Sequence, residues 1–109
     1  MGGNSGQGAL TETVFYILLS LCSPLHGYGI MQRVKELSGG RVLLGAGTLY
    51  GAISTLETKG WIQPIQPSDL GGRKKEYCIT YSGKELLKVE MDRLEELLAN
   101  GRSILARSE

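Results

Sequence analysis

The fold is decided by the stretch GAGTLYGAISTLETKGWIQPI, which covers residues 45–65. A glycine-rich turn opens it, and apolar residues at helical spacing then predict a helix over residues 48–59 that Gly60 ends. The predicted buried side of this helix consists of Leu49, Ala52, Ile53 and Leu56. Residues 61–65 predict a β-strand, and Pro64 favours an edge position because proline lacks the N–H that a central strand needs.

A second amphipathic helix precedes this stretch, and a second strand follows it. The helix is predicted over residues 27–38 and is ended by Gly39-Gly40. Residues 41–44 predict a short strand, and residues 76–80 predict a strand that returns beside 61–65 to form a hairpin. Two short amphipathic helices before a hairpin are typical of a winged helix-turn-helix, whose second helix enters the major groove of DNA. The sequence therefore predicts a mainly α fold with a small β-hairpin.

The first helix carries apolar residues on two sides. Thr11 is its predicted N-cap. One side, at i, i+3, i+4, i+7 spacing, consists of Val14, Ile17, Leu18 and Leu21. Phe15, Leu19 and Cys22 form the other side. Because a helix that is apolar on two sides needs two surfaces against which to bury them, we expect the second surface to be another subunit.

The last helix carries a heptad-like series of apolar residues. Its predicted cap is either Ser82 or Thr80, and Asn100-Gly101 predicts an end or a bend. The series consists of Leu87, Met91, Leu94, Leu98 and Leu105. This spacing indicates the seam of a dimer, with packing on the helix's own domain as the alternative.

The composition fits one small globular unit. Of the 109 residues, 41% are hydrophobic, which is enough for a packed core. Residues 1–9 are interpreted as a disordered tail or a cloning remnant, residues 10–80 as the winged helix-turn-helix, and residues 81–109 as a C-terminal dimerisation helix. No apolar run is long enough to cross a membrane. We therefore expect a cytoplasmic protein with two reduced, buried thiols, Cys22 and Cys78.

Two groups of side chains are predicted to contact DNA. The first lies opposite the buried side of the third helix, where hydroxyl and amino groups suit phosphates and base edges. The second is a run of three cations at the hairpin tip, which suits a clamp on phosphates. The candidate contacts are Thr48, Tyr50, Ser54, Lys59, Arg73, Lys74 and Lys75. The alternative is an ordinary solvated surface, since the formal net charge of +1 gives no whole-chain signature for nucleic acid.

Other functions fit parts of the sequence less well. Gly45-x-Gly47-x-x-x-Gly51 resembles a dinucleotide-binding turn, but a hairpin follows where a doubly wound sheet needs further strand and helix units. We therefore expect no enzyme and no cofactor. His26 has no partner at metal-ligand spacing, so no metal site is expected. A winged-helix module that binds protein instead of DNA is the alternative that the near-neutral charge permits.

A linked set of motifs over residues 10–98 resembles the PadR-like family of transcriptional regulators. The motifs are Leu10-Thr11-Glu12, the run from Tyr16 to Leu21, Pro24-x-His26-Gly27-Tyr28-x-Ile30, Gly47-Thr48-Leu49-Tyr50, Leu56-x-x-x-Gly60-x-Ile62 and Gly72-Arg73-x-x-x-Tyr77-x-Ile79-Thr80-x-x-Gly83. The linked set is far more specific than any one of its motifs.

The resemblance implies a homodimeric repressor of the compact branch of that family, whose single C-terminal helix packs with the first helix of the partner. It implies that the recognition helix and the wing contact double-stranded operator DNA through the candidate residues above, with Tyr28 as a phosphate contact. It also implies a small hydrophobic or aromatic effector. Multidrug-sensing relatives stack such a ligand on a tryptophan of the dimerisation helix, but residues 82–109 contain no aromatic residue. Phe15 is then the candidate lining residue of an effector pocket.

Overall fold

Four helices and three short strands make up residues 8–65 and 75–108, the part of the chain that the computed structural model describes. In chain order they are α1 (Glu12–Ser20), β1 (Leu25–His26), α2 (Gly27–Leu37), α3 (Ala46–Thr58), β2 (Ile62–Ile65), β3 (Glu76–Ile79) and α4 (Tyr81–Ser108). The predicted winged helix-turn-helix, mainly α with a small β-hairpin, is confirmed.

Side-chain caps fix where three of the helices begin. The Thr11 hydroxyl accepts a hydrogen bond from the backbone N–H of Val14 at 3.1 Å, and His26 Nδ1 accepts one from Gly29 at 3.3 Å. The Thr80 hydroxyl accepts from Gly83 N–H at 3.1 Å, so Thr80 rather than Ser82 caps α4. These acceptors satisfy N–H groups that the first turn of a helix leaves without partners.

The three strands form one antiparallel sheet in the order β1-β3-β2. Tyr77 in the central strand lies opposite Leu25 on one side and Pro64 on the other. Pro64 thus occupies the edge strand that its missing N–H requires. Strand β1 was not predicted, because two residues are too few to show a periodic pattern.

The core is built from the apolar sides that the sequence predicts. Its buried residues are Ile17, Leu18, Leu21, Ile30, Val34, Leu49, Ile53, Leu56, Ile62, Tyr77, Ile79 and Leu87. Thr80 ties this core together at one end, since its hydroxyl donates to the carbonyl of Gly60 at 2.7 Å and its N–H donates to the carbonyl of Trp61 at 3.0 Å. The end of α3, the start of β2 and the start of α4 are therefore joined at one residue.

Several local predictions are wrong. Residues 41–44 form no strand, because the Val42 N–H donates to the Ser38 hydroxyl at 2.9 Å and β1 takes the position beside β3. Helix α3 begins at Ala46, two residues earlier than predicted. Helix α4 neither ends nor breaks at Gly101 but runs to Ser108, since one glycine inside a helix costs only about 1 kcal/mol. Neither cysteine is buried as predicted, since Cys22 is exposed and Cys78 is half-buried.

Candidate nucleic-acid interface

Helix α3 presents a hydroxyl-rich face to solvent while its other side packs in the core. Thr48, Tyr50 and Ser54 all lie on the exposed face, as predicted. The N-cap is Gly45, whose lack of a side chain leaves the first backbone N–H groups of α3 without a side-chain acceptor. The face thus combines hydroxyl groups with the positive end of a helix dipole, both of which suit phosphate oxygens.

The other hydroxyl groups of α3 are engaged within the helix. Thr55 donates to the carbonyl of Gly51 at 3.2 Å, and Thr58 donates to the carbonyl of Ser54 at 3.0 Å. These bonds orient the two threonines along the helix, as is common for hydroxyl residues in helix interiors.

Tyr50 connects α3 to the start of α2. A Cβ atom at Gly27 would collide with the Tyr50 hydroxyl, so the Tyr50 ring can keep this position only while residue 27 has no side chain. Tyr50 nevertheless keeps 50% of its surface exposed, and Tyr28 keeps 63%. The Tyr28 hydroxyl accepts a hydrogen bond from Gln32 Nε2 at 2.7 Å. The structure therefore brings the Tyr50 phenol group of α3 close to the start of α2, which also carries the Tyr28 phenol group.

The close approach at Gly27 was not predicted. The signal available in the sequence is a glycine at the start of a helix, and that alone does not reveal which side chain lies against it. The pairing becomes visible only when α2 and α3 are packed together.

The wing contributes one described cation. Lys75 is exposed, and its Nζ lies 5.9 Å from the centre of the Tyr77 ring. Burial raises the pKa of Tyr77, with smaller contributions from Glu57 and Tyr50. Arg73 and Lys74 lie outside the described residues. At the other end of β2, Lys59 Nζ lies 5.3 Å from the centre of the Trp61 ring.

Helix α4 uses its apolar residues in two different ways. Leu87, which the sequence placed in the dimer seam, is only 4% exposed and packs in the core of its own chain. Further along, the side chains are open to solvent. The exposed fractions are 44% for Met91, 42% for Leu94, 53% for Leu98 and 66% for Leu105. The distal half of α4 therefore carries an apolar stripe that no other described part of its chain covers.

A groove of about 330 Å³ lies between α1 and α4. It is lined by Leu10, Glu12, Phe15, Tyr16, Glu90 and Leu94. The ring centres of Phe15 and Tyr16 are 6.0 Å apart in an edge-on arrangement. Phe15 from α1 and Leu94 from the predicted seam thus border the same space.

Both acidic residues of the groove are already paired. Glu12 forms an ion pair with Arg41. Glu90, almost fully buried, accepts hydrogen bonds from Arg93 Nη2 at 2.6 Å and from Leu10 N–H at 3.3 Å. The bond from Arg93 holds the pKa of Glu90 below its usual value. The groove therefore offers mainly apolar and aromatic surface rather than an unbalanced charge.

Within residues 8–65 and 75–108, no three His, Cys, Asp or Glu side chains come together as metal ligands. No helix in the same ranges is long and apolar enough to span a bilayer.

Comparison with known proteins identifies a family, a curated relative and solved structures that are similar to this chain. Residues 15–89 match the family described as "Transcriptional regulator PadR-like family". A curated relative, the "Uncharacterized 37.1 kDa protein in transposon TN4556" of Streptomyces fradiae, is 39% identical over 84 residues. That match covers 73% of this chain and 23% of the relative, so the chain spans about a quarter of the relative's length.

Two solved structures share the fold over most of their length. A PadR family transcriptional regulator from Eggerthella lenta is 28% identical, with a TM-score of 0.64 over 88% of this chain and 82% of that chain. A PadR family transcription regulator from Clostridium difficile is 25% identical, with a TM-score of 0.67 over 86% and 97% of the two chains.

Proposed function

Because the chain belongs to the PadR-like family of transcriptional regulators, we propose that it works as a homodimeric repressor which binds double-stranded operator DNA and is released by a small hydrophobic or aromatic effector. The observation that carries the proposal is the exposed hydroxyl face of α3, whose Tyr50 reaches the start of α2 where Tyr28 is exposed. Such a surface suits a helix inserted into a major groove.

The DNA contacts divide into two kinds. Thr48, Tyr50 and Ser54 of α3 face the major groove of the DNA and reach base edges or nearby phosphates. The phosphate contacts that flank them are Tyr28, Lys59, Arg73, Lys74 and Lys75. The α3 face lacks an arginine or asparagine for bidentate base contacts, so we expect the phosphate contacts to supply most of the affinity.

Dimerisation is supported by the uncovered stripe on α4. Burying an apolar stripe of this kind between two subunits removes it from water and stabilises the dimer. A two-fold dimer also presents two recognition helices to the two halves of a palindromic operator. Phe15, which borders the stripe at Leu94, is included in the same interface.

The effector is proposed to bind in the groove between α1 and α4. The two carboxylates that line the groove, Glu12 and Glu90, are paired within the chain. A neutral, flat and apolar molecule therefore fits the lining better than an ion does. Such a ligand releases DNA only if it binds the DNA-incompetent dimer more tightly than the competent one. The groove touches both α1 and α4, and a ligand there can therefore change how the two subunits are held.

The DNA proposal is tested with the protein's own upstream promoter, a scrambled duplex and a series of salt concentrations. Neutralising Arg73, Lys74 and Lys75 together is expected to weaken binding to the promoter and to reduce the salt slope by about 0.9 for each phosphate contact that is lost. Fluorescence anisotropy at each salt concentration measures both effects. Glu95→Gln, on the exposed side of α4, serves as the control.

Equal, weak binding to both duplexes would contradict the proposal. A winged-helix module that binds protein would then become the better interpretation, as the near-neutral charge allows. A reporter gene behind the same promoter separates the repressor from an activator, since deletion of the protein raises transcription only in the first case.

The effector site is tested with Phe15→Ala. N-phenyl-1-naphthylamine serves as the probe, because it is neutral and its fluorescence rises in apolar surroundings. We expect the variant to weaken probe binding about 10-fold, because the loss of one buried aromatic contact removes roughly 1–2 kcal/mol. Leu43→Ala, an exposed residue of the α2–α3 loop, is the control. Unchanged probe binding by Phe15→Ala would remove Phe15 from the pocket.

A further inference from the structure

Two cysteines that are far apart in the sequence lie close together beside the central strand of the sheet. Cys22 follows α1, and Cys78 lies in β3, fifty-six residues later. The two segments meet at one backbone hydrogen bond, in which the Ile79 N–H donates to the Leu21 carbonyl at 2.8 Å. Cys22 directly follows the acceptor residue, and Cys78 directly precedes the donor residue.

The covalent bonds around this hydrogen bond limit the distance between the two cysteines. Each cysteine Cα atom lies roughly 2.4–2.8 Å from the bonded oxygen or nitrogen atom, across a single peptide unit. Together with the 2.8 Å hydrogen bond, this keeps the two Cα atoms within about 8 Å of each other. The regular antiparallel arrangement, which the chain adopts from Leu25 onward, sets the lower limit at about 4.5 Å. The Cα separation that a disulfide accepts, about 4.4–6.8 Å, falls largely within these limits.

Both thiols lie outside the core. Leu21 and Ile79 are buried in it, with exposed fractions of 0% and 6%. Because side chains alternate along a strand, Cys78 lies on the opposite face of β3 from Ile79. On that face the Cys78 Sγ accepts a hydrogen bond from Gln63 Nε2 at 3.9 Å. Cys22 is exposed and Cys78 is half-buried, so a small oxidant in the solvent can reach both sulfur atoms.

We propose that Cys22 and Cys78 are a redox couple, which peroxide oxidises to an intramolecular disulfide between the end of α1 and the wing strand β3. The proposal depends neither on DNA binding nor on dimerisation. An exposed disulfide is readily reduced by small thiols. The pair therefore suits a reversible switch rather than a permanent cross-link.

The oxidation consists of two balanced steps. The sulfur of Cys22, the more exposed of the two, attacks one oxygen of hydrogen peroxide. The O–O bond breaks, Cys22 becomes a sulfenic acid, and the other oxygen leaves as water. The sulfur of Cys78 then attacks the sulfur of Cys22, which forms the S–S bond and releases the sulfenic oxygen as a second water. The two thiols lose two electrons and two hydrogen atoms in total, and two molecules of a thiol such as glutathione return them by thiol–disulfide exchange.

The disulfide would fix the wing to the helical part of the protein. Strand β3 is central in the sheet and pairs with both β1 and β2, and the exposed Lys75 directly precedes it. The new bond also closes a long loop of the chain, which restricts the unfolded state. We therefore expect the oxidised protein to unfold at a higher urea concentration than the reduced protein.

Oxidation of the full-length, reduced chain with hydrogen peroxide tests the couple. Catalase removes the peroxide, N-ethylmaleimide labels the remaining thiols, and mass spectrometry of the intact protein counts them. We expect both thiols to disappear with a mass loss of two hydrogen atoms, no covalent dimer on a non-reducing gel, and recovery of both thiols in excess reduced glutathione. Cys22→Ser and Cys78→Ser each leave one thiol, which should not be protected in this way.

A shifted cysteine provides the matched control. Glu76→Cys on a Cys78→Ser background keeps a thiol on the same face of β3. It moves that thiol about 7 Å along the strand, to the position opposite His26. Equilibration in mixtures of reduced and oxidised glutathione measures how readily each pair closes. The native pair is expected to close with an equilibrium constant at least about 10-fold larger than that of the shifted pair, because its effective concentration is higher.

The other outcomes overturn the proposal. Thiols that survive peroxide would show that the pair is not oxidised. A sulfinic acid on Cys22 beside a free Cys78 would show that the two sulfur atoms do not meet. Covalent dimers would place the bond between chains, and equal equilibrium constants for the native and shifted pairs would show that the position of Cys78 gives no advantage.

Discussion

Leu98→Asp is expected to turn the proposed dimer into a monomer and to weaken binding to the proposed operator at least about 100-fold. Leu98 is 53% exposed in a single chain, so the substitution puts a carboxylate into water in the monomer and into an apolar interface in the dimer. Burying an unpaired charge costs several kcal/mol. The monomer then presents one recognition helix and loses the second half of the operator.

This result requires that the protomer itself stays folded. The buried part of α4 ends near Glu90, so circular dichroism should show an unchanged helix content apart from the distal turns. Ser103→Asp places the same charge on the outer side of α4 and serves as the matched control. Light scattering gives the mass, and anisotropy gives the operator affinity. A dimeric Leu98→Asp protein with normal operator binding would remove the α4 stripe from the interface.

Gly83→Ala is expected to lower the free energy of unfolding by about 3 kcal/mol, which is a large part of the stability of a small domain. A Cβ atom at Gly83 would collide with the carbonyl oxygen of Trp61 and would lie 2.7 Å from Ile79 Cγ1. The first of these is a backbone atom of the chain that leads into β2, and a rotamer change cannot move it away. Helix α4 must therefore shift away from the sheet, which disrupts the packing around Leu87.

The same substitution at another helical glycine should have the opposite sign. Gly51 is exposed in α3, and a Cβ atom there would meet nothing within 4 Å. Gly51→Ala is therefore expected to raise the stability by up to about 1 kcal/mol, because alanine is the better helix former. Urea unfolding at a fixed protomer concentration compares the two variants. A loss at both glycines, or at neither, would contradict the packing described around Trp61.

The helices and the wing were predictable because their signals are local. The spacing of Leu49, Ile53 and Leu56 gives one buried side of α3 in any environment, and Pro64 restricts its strand to an edge. The error at residues 41–44 shows the limit of this reasoning. Val42 and Leu44 do pack against the core, but they do so from a loop, and periodicity over four residues cannot distinguish the two.

The candidate DNA-binding residues were only partly predictable. The exposed positions of Thr48, Tyr50 and Ser54 follow from the helical repeat alone. The contact between Tyr50 and Gly27 does not, because it depends on how α2 and α3 pack. Leu87 shows the same dependence on packing. It occupies the same heptad position as Leu94, yet Leu87 is buried in the core of its own chain whereas Leu94 is exposed.

The sequence by itself determined which side of each helix is apolar, that Pro64 belongs to an edge strand, and which family of regulators the chain resembles. These properties depend on residue type and on spacing along one element. The tertiary structure alone decided that the heptad of α4 is divided between the core and an open stripe, that Thr80 joins three elements, and that Phe15 and Leu94 border one groove. Such properties depend on distances between elements far apart in the chain, and these distances are set only when the elements pack together.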